Sequence, residues 1–276
     1  MTMEAKSLVK PLRLGVVRFL NTQPIISGLE VCNDISMTEA VPSSLINLLE
    51  SGEVDAALCS SIDYQVSSMP LVILPAPSLG CLGATRTVRL YSSRPFEELE
   101  KVCCDSDSHT SVVLLQVLLR EVHGCRVTVL PFDAAGRNVE WPEAVMLIGD
   151  KVVSASPPAE RYPYQMDLGE AWHSLTGLPF LFGIWLAGAD LDSDDARRIV
   201  STLDRQYRYN RMHSETLVGR ESRARNWPQD MAEDYLSSGI RYELGPSQRE
   251  GLDRFYELAA AHGLIEQHRP LRFAGE

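Results

Sequence analysis

Residues 105–119, DSDSHTSVVLLQVLL, decide the fold. The short apolar run 99–104 precedes this stretch and predicts a buried strand, and apolar residues at helical spacing follow it. Hydroxyl and carboxylate side chains at such a turn cap free backbone N–H groups. A strand end that delivers Ser108, Thr110 and Ser111 to a helix N-terminus also suits an anion, because donors and helix dipole point the same way. Capping alone is the simpler interpretation of one such turn.

Three further strand ends repeat this arrangement, and the repetition favours a binding site over simple capping. The other turns, each with its predicted strand, are Asn21 and Thr22 after 12–19, Ser60 and Ser61 after 54–59, and Gly149 and Asp150 after 144–148. Strands that alternate with helices predict a parallel or mixed α/β sheet, whose ligands bind outside the carboxyl ends of the strands. We therefore expect the four turns to face one cleft between two lobes.

Composition narrows the class of protein. The chain has 276 residues, 45% hydrophobic and 23% charged, with a formal net charge of −11. This balance is typical of a soluble globular protein and argues against nucleic acid or an anionic membrane as partner. Six cysteines without zinc-type spacing predict reduced thiols, four of them within apolar runs, and a cytoplasmic location. The start of the chain does not resemble a secretory signal, and no apolar run approaches the about 18 residues of a membrane span.

Two series of strands and helices predict two lobes. The apolar run 178–186, LPFLFGIWL, is expected to be a buried strand that returns to the first half of the chain. Lobe I is then predicted to comprise 1–92 plus 190–276, with C-terminal helices, and lobe II 93–189. The residues 75–80 are expected to form a loop. Among the aromatic residues, Phe180, Phe182 and Trp185 are predicted core, whereas Trp172 is a candidate for lining the cleft.

A set of motifs resembles the menaquinone biosynthesis A family, the chorismate dehydratases of the futalosine route. The resemblance spans about residues 12–260 and rests on RFLNTQP (18–24), VDAALCSSIDY (54–64), GATRTVRLYS (83–92), CDSDSHTSVVLLQVLL (104–119), MLIGDKVV (146–153) and DLGEAWHSLTGLPFLFGIW (167–185). It implies an α/β, two-lobed, periplasmic-binding-protein-like (type II) clamshell with two crossover strands. It also implies loss of water from chorismate to give 3-[(1-carboxyvinyl)oxy]benzoate, with no metal and no organic cofactor.

Matched motif by motif, the resemblance assigns roles to particular residues. Asn21 is the implied catalytic residue, which orients the reacting part of the ring. The implied substrate-binding residues are Arg18, Thr22, Ser60, Ser61, Thr87, Ser108, His109, Thr110, Ser111, Gly149 and Asp150, and Asp150 is expected to act as a cap rather than as a catalyst. Neutral donors at helix N-termini suit a dicarboxylate, since burying one without donors is prohibitive.

Three positions depart from the family pattern. His109 stands in place of the usual Arg, while Arg18 and Arg86 replace small residues, so either the counter-ion has moved or these side chains face solvent. No Asp or Glu in the motifs is an obvious base, which leaves the enolpyruvyl carboxylate of the substrate for that role. The alternatives are a non-catalytic cytoplasmic protein that binds small anions on the same fold, and the related 1,4-dihydroxy-6-naphthoate synthase. The sequence does not predict an oligomeric state.

Overall fold

The computed structural model describes residues 10–134 and 140–276. The expectation about the start of the chain therefore falls largely on residues outside the described part. Two β-sheets, each flanked by helices, form the two lobes of an α/β structure. Within the described residues, no helix combines the length and apolar character that crossing a bilayer requires.

The first sheet has six strands in the order β2-β1-β3-β11-β4, and β5 pairs with β11 beside this path. Its strands are β1 (Leu12–Val16), β2 (Ile35–Glu39), β3 (Ala56–Ser60), β4 (Leu71–Ile73), β5 (Leu79–Cys81) and β11 (Phe180–Gly188). β1 runs parallel to β2 and β3, whereas β11 runs antiparallel to β3, β4 and β5. The buried run that was expected to return to the first half of the chain therefore does so as β11.

The second sheet has five strands in the order β10-β6-β9-β7-β8. Its strands are β6 (Val88–Ser92), β7 (Lys101–Asp105), β8 (Thr128–Phe132), β9 (Ala144–Ile148) and β10 (Tyr164–Asp167). β7 runs parallel to β8 and β9, and β6 pairs antiparallel with β9 and β10. Both sheets are thus mixed, as the alternation of strands and helices predicts.

The helices cover the sheets and extend the first lobe at its C-terminal end. They are α1 (Gln23–Ile26), α2 (Pro42–Glu50), α3 (Asp63–Val66), α4 (His109–His123), α5 (Lys151–Ser154), α6 (Leu168–Thr176), α7 (Ser193–Met212), α8 (Ser214–Ala224), α9 (Gln229–Asp234) and α10 (Pro246–Ala261). One π-helical turn, Tyr235–Gly239, follows α9 directly. Short 3₁₀ turns cover Leu20–Thr22, Leu29–Val31, Phe96–Glu98 and Ala159–Arg161.

Strand pairing divides the chain differently from the expected lobe boundaries. β6 belongs to the second sheet and β11 to the first, so the chain crosses between Cys81 and Val88 and returns between Asp167 and Phe180. The expected crossings at 92 and 190 lie outside both segments. An alternating strand such as β6 has the same local pattern in either sheet, and only its long-range partners decide where it pairs. The division into lobes along these crossings remains a proposal.

Apolar packing accounts for several sequence expectations. The side chains of Phe180, Trp185 and Trp172 are fully buried, and the indole N–H of Trp172 donates to the Pro179 carbonyl at 3.1 Å. Trp172 is therefore a core residue, and its expected place in the cleft is wrong. The six cysteines are free, with Cys59, Cys81 and Cys104 buried and Cys32, Cys103 and Cys125 partly exposed. The segment that was expected to be a loop contains the strand β5 at its end.

Candidate active site

One cleft lies between the carboxyl ends of the strands of both sheets. Of the residues proposed from the sequence, six line it: Asn21, Ser60, Thr87, Ser108, Ser111 and Gly149. The enclosed part of the cleft is narrow, with a cavity volume of about 60 Å³, and the space between its atoms reaches about 570 Å³ only when the open solvent at its mouth is included. Each of the four polar turns contributes at least one residue, so the turns meet as expected.

The N-terminus of α4 forms one wall of the cleft. Ser108 is the N-cap residue, and its hydroxyl oxygen accepts a hydrogen bond from the Ser111 backbone N–H at 3.2 Å. The Ser108 hydroxyl donates in turn to the Ser111 hydroxyl oxygen at 3.0 Å. That arrangement leaves the proton of the Ser111 hydroxyl available to a ligand. The helix ends at His123, and Gly124, with a φ of +64°, is its left-handed C-cap residue.

Thr85, Thr87 and Gly149 form the adjoining wall of the second lobe. The Gly149 N–H donates to the Thr87 carbonyl at 2.7 Å, which joins the loop before β6 to the turn after β9. Gly149 has a φ of +61°, and a Cβ at this position would lie 3.3 Å from the Phe19 ring of the first lobe. The absence of a Cβ at Gly149 therefore permits both the left-handed backbone and the close approach of the two lobes.

Asp167 holds the loop that carries Thr85 and Thr87. One of its carboxylate oxygens accepts hydrogen bonds from the N–H groups of Thr85, Gly169 and Glu170 at 2.9, 3.0 and 3.1 Å. The other accepts from the Arg86 N–H at 2.6 Å. This buried carboxylate thus caps α6 and clamps the loop at the same time. Arg86 has a φ of +64°, a left-handed conformation that is unfavourable for a side chain with a Cβ and that this clamp supports.

Asn21 and Ser60 are the polar residues that the first lobe contributes to the described lining of the cleft. The Asn21 backbone carbonyl accepts a hydrogen bond from the Tyr242 hydroxyl at 2.9 Å, which fixes the main chain at this position. The Asn21 Oδ1 atom is buried and has no hydrogen-bond partner within the described part of the chain. Since buried polar atoms are almost always paired, an unpaired acceptor in a cleft indicates a ligand contact.

The other six proposed binding side chains do not line the cleft, so the structure does not support their expected contact with a substrate. They are Arg18, Thr22, Ser61, His109, Thr110 and Asp150. Each is engaged elsewhere, because hydroxyl and charged groups close to a turn find nearer partners. The Thr22 hydroxyl donates to the carbonyls of Val17 and Phe19 at 2.6 and 2.8 Å, so Thr22 does not cap α1 through its side chain.

Ser61 and Thr110 join the two lobes behind the cleft. The Thr110 hydroxyl oxygen accepts from the Ile62 N–H at 3.1 Å and lies 3.3 Å from the Ser61 hydroxyl, which also donates to the Leu181 carbonyl. Both residues are fully buried. Their hydrogen bonds connect the start of α3 to the N-terminus of α4, so they support the cleft from behind.

Asp150 reaches across to the first lobe. Burial raises the pKa of its carboxyl, and the positive charge of the nearby Arg225 guanidinium opposes that shift. The Arg225 guanidinium lies 3.8 Å from the carboxylate. Asp150 therefore faces a cation of the first lobe, and although it precedes α5 its side chain makes no cap hydrogen bond there.

The three residues that depart from the family pattern each pair with a carboxylate outside the cleft. Arg18 pairs with Glu39 at 2.8 Å, Arg86 pairs with Asp234, and both guanidinium groups are about half exposed. His109 Nδ1 lies 2.7 Å from Asp63 Oδ1, and the Asp63 side chain is fully buried. The hydrogen bond to Asp63 raises the pKa of His109, and burial raises the pKa of Asp63 despite this partner.

This His–Asp pair predicts a particular pH dependence of stability. Both pKa values are raised in the folded state, so the folded protein binds these protons more tightly and becomes less stable as pH rises. The His109 contribution is complete below its unfolded value of about 6.5 and is lost as pH increases through the raised folded pKa. In thermal melts from pH 6 to pH 9, the double variant H109Q/D63N should show a shallower fall in Tm than the unaltered protein.

The control for this prediction is H213Q, which removes an exposed histidine whose Nδ1 lies 2.8 Å from the Tyr209 carbonyl of the preceding helix α7. It should keep the original slope. A double variant whose Tm falls as steeply as that of the unaltered protein would show that the pair does not couple protons to folding.

The lining of the cleft carries no charged side chain among the residues that the structure describes. Its one ionisable group is the Cys59 thiol, whose pKa burial raises well above the ordinary value. This thiol stays protonated at neutral pH and is a poor base. Apolar surface from Phe19, Leu79, Phe182 and Ile240 completes the cleft. The site thus offers hydroxyl, amide and helix N-terminal donors in an apolar setting, which suits a small anion with a ring.

Sequence reasoning did not find three contributors to this site: Thr85, Asp167 and Tyr235. Thr85 could have been predicted as a site residue, since it lies two residues from Thr87 in the same motif. Asp167 had the signature of an N-cap before α6, but its bonds to the loop at 85–86 are long-range. Tyr235 had no local signal, because its amphipathic helix is typical of core packing.

Solved structures show the class of fold. The periplasmic aliphatic sulphonate binding protein SsuA of Escherichia coli superimposes with a TM-score of 0.63 at 15% identity, covering 97% of this chain and 94% of that one. A crystal structure of the protein AF1704 from Archaeoglobus fulgidus gives a TM-score of 0.74 at 14% identity, covering 92% and 98%. The protein therefore has the two-lobed α/β fold of periplasmic binding proteins, and the expected fold class is confirmed.

Sequence comparison narrows the class to a family. The profile described as menaquinone biosynthesis matches residues 12–261. A chorismate dehydratase of Thermus thermophilus is 28% identical over 263 residues, which cover 90% of this chain and 95% of that protein. The chain belongs to the menaquinone biosynthesis family, as its motifs predict.

Proposed function

We propose that this protein is a chorismate dehydratase of the futalosine route, a cytoplasmic hydro-lyase that acts without a cofactor. The observation that carries the proposal is the match with the curated chorismate dehydratase over 90% of the chain. The cleft supports it, because its neutral donors and apolar walls suit a small ring dicarboxylate. The product would be 3-[(1-carboxyvinyl)oxy]benzoate.

For this elimination the protein mainly has to orient the substrate and to stabilise the negative charge that develops on it. The proton at the ring carbon that bears the enolpyruvyl ether is vinylogous to the ring carboxylate, and hydroxide leaves from the neighbouring carbon. Formation of the aromatic ring drives the elimination. Negative charge spreads toward the ring carboxylate, where Ser108, Ser111 and the N-terminus of α4 would stabilise it.

The substrate supplies the base in this proposal. The described cleft lining contains no carboxylate, imidazole or amine, and the Cys59 thiol is held protonated. The enolpyruvyl carboxylate of chorismate is then the group that takes the proton from the ring carbon. Hydroxide leaves with the electrons of the C–O bond and takes up that proton, so the reaction releases one water. The protein acts by holding the substrate in the reactive conformation.

The test is to incubate the purified full chain with chorismate and to analyse the mixture by liquid chromatography and mass spectrometry. The expected result is loss of chorismate with formation of a product that is one water lighter. Ligand-dependent thermal stabilisation without a product would instead identify a binding protein. Conversion of a later intermediate but not of chorismate would identify the related 1,4-dihydroxy-6-naphthoate synthase.

A further inference from the structure

Phe182 is a half-buried aromatic residue of β11 that lines the cleft. The sequence predicts it to be a core residue together with Phe180 and Trp185, and those two side chains are fully buried, whereas Phe182 only packs against the core. The aromatic residues of the described cleft lining are Phe19 and Phe182. Phe19 has a structural contact of its own, since its ring packs against Gly149 of the second lobe. Phe182 is thus a residue of a core strand that the fold brings to the cleft.

A β-bulge interrupts the regular pairing of β11 at this residue. Leu181 is the partner of Gly80 on β5 and Gly183 is the partner of Leu79, so Phe182 between them has no partner on that strand. A bulge of this kind leaves the extra residue outside the ladder and re-aims its side chain, and bulges are common next to active sites. The irregular register therefore explains why Phe182 reaches the cleft although it lies in the apolar run that predicts a buried strand.

Ser61 holds the bulge from the end of the adjacent strand. Its backbone N–H donates to the Phe182 carbonyl at 3.0 Å, and its hydroxyl donates to the Leu181 carbonyl at 2.8 Å. One residue thus binds two consecutive carbonyls of the bulge, and it directly follows Ser60, which lines the cleft. These bonds fix the main chain that carries Phe182.

The core supports the Phe182 ring from behind. This ring meets that of Phe180 edge to face, with centroids 4.7 Å apart and planes at 65°. Phe180 in turn packs edge to face on Trp172 at 5.3 Å and on Phe255 at 4.9 Å, and these three side chains are fully buried. Aromatic pairs prefer this arrangement. A partly exposed ring on a buried aromatic cluster is a rigid surface, which loses little conformational freedom when a ligand packs on it.

We propose that Phe182 packs against the ring of the substrate and makes the cleft selective for a carboxylate whose ring is aromatic or becomes aromatic. The proposal rests on the proposed function. The enclosed part of the cleft is narrow, with a cavity volume of about 60 Å³, so a ring that enters it must contact the wall. Chorismate has two tetrahedral ring carbons, and its ring becomes a flat benzene ring as water leaves. Contact with an aromatic face therefore improves along the reaction, which favours the transition state over the bound substrate.

The first test is F182L, which keeps an apolar side chain but removes the aromatic face. Since the preference for an aromatic pair beyond its contact area corresponds to a factor of about 2 to 10, kcat for chorismate should fall by about 2- to 10-fold and KM should rise by less. F182M provides a second non-aromatic variant if F182L does not fold. An unchanged kcat in the folded variant would overturn the proposal.

The matched control is F132L. Phe132 is also half-buried against another aromatic ring, that of Trp141 at 5.7 Å between centroids, but it does not belong to the described lining of the cleft. The same substitution there removes an aromatic pair without removing a contact with the substrate. F132L should therefore keep the original kcat and KM.

Binding of two small carboxylates tests the contact without the reaction. Benzoate and 1-cyclohexene-1-carboxylate have the same charge and a similar size, but only benzoate is aromatic. In titration calorimetry, the unaltered protein and F132L should bind benzoate about 2- to 10-fold more tightly, whereas F182L should bind the two with nearly equal affinity. Equal affinities in the unaltered protein, no binding of benzoate, or a preference that F182L retains would overturn the proposal.

These measurements separate the role of Phe182 from the proposed function. If the unaltered protein forms no product from chorismate, the proposed function fails, and the preference for benzoate still decides whether Phe182 binds an aromatic ring. If product forms while F182L keeps both kcat and the preference, only the role of Phe182 is wrong.

Discussion

Replacement of Asn21 by alanine should abolish most of the turnover of chorismate while leaving its affinity nearly unchanged. The loss of one well-placed polar group in an active site reduces kcat by about 10²–10³-fold, and we expect N21A to fall in this range. KM should change by no more than about threefold, because in the proposed complex a substrate carboxylate is bound by the serines at the N-terminus of α4, which N21A leaves unchanged. Steady-state kinetics, with product formation followed by mass, provide the measurement.

The expected split between kcat and KM follows from the position of the side chain. Asn21 Oδ1 is a buried acceptor without a partner in the described residues, and the carbonyl of the same residue is held by Tyr242. The backbone therefore stays in place when the amide is removed. A contact made mainly with the reacting part of the ring contributes to the transition state more than to the bound substrate.

Two further variants sharpen this test. N21D keeps an acceptor oxygen but adds negative charge to a cleft whose described lining is neutral, so it should raise KM for a dianion as well as lower kcat. N47A removes an exposed amide on α2 and should behave as the unaltered protein. Equal losses in kcat and in affinity for N21A would contradict the assigned role of Asn21.

Replacement of Asp167 by alanine should destabilise the protein more than loss of any ordinary helix cap. Four backbone N–H groups lose their acceptor, two of them in the loop that carries Thr85 and Thr87 and two at the start of α6. A lost cap costs about 1 kcal/mol, and each of the two loop N–H groups left unpaired adds about 1–3 kcal/mol, so we expect about 3–7 kcal/mol in total. This corresponds to a fall in Tm of about 10–20 °C for a chain of this size.

The matched control is D192A. Asp192 caps α7 in the same way, by accepting from the Asp194 and Asp195 N–H groups, but its side chain is exposed and serves no loop of the cleft. D192A should cost only about 1 kcal/mol of unfolding free energy and should keep kcat. D167N retains one acceptor, the amide oxygen, and should be intermediate in stability. It therefore provides a folded variant if D167A does not fold. Equal Tm values for D167A and D192A would show that Asp167 is an ordinary cap.

The strands and helices that form the site were largely predictable from the sequence, because their signals are local. The apolar run before Asp105, the serine at the N-cap of α4 and the helical spacing after it all lie within about twenty residues, and the structure has β7 and α4 there. The convergence of four polar turns was predictable as well, since the carboxyl ends of strands in α/β sheets face the same side. The motif set also predicted the family.

Side-chain directions within those turns were less predictable. Ser108 and Ser111 line the cleft while Thr110 between them binds the start of α3 behind it. On a helix, residues three apart share a face and a residue between them points elsewhere, but the sequence does not state which face meets the cleft. His109 illustrates the same limit, because its partner Asp63 comes from the other lobe.

By itself the sequence determined the alternation of strands and helices, the polar turns at strand ends and the membership of the family, since each depends on residues that are near one another or on motifs in order. Only the tertiary structure decided that β6 pairs in the second sheet, that Asp167 clamps the loop of Thr87, and that the Tyr235 hydroxyl meets the Thr87 hydroxyl. These depend on contacts between residues about 50 to 150 positions apart, and no local pattern encodes which distant partner a hydrogen-bonding group will meet.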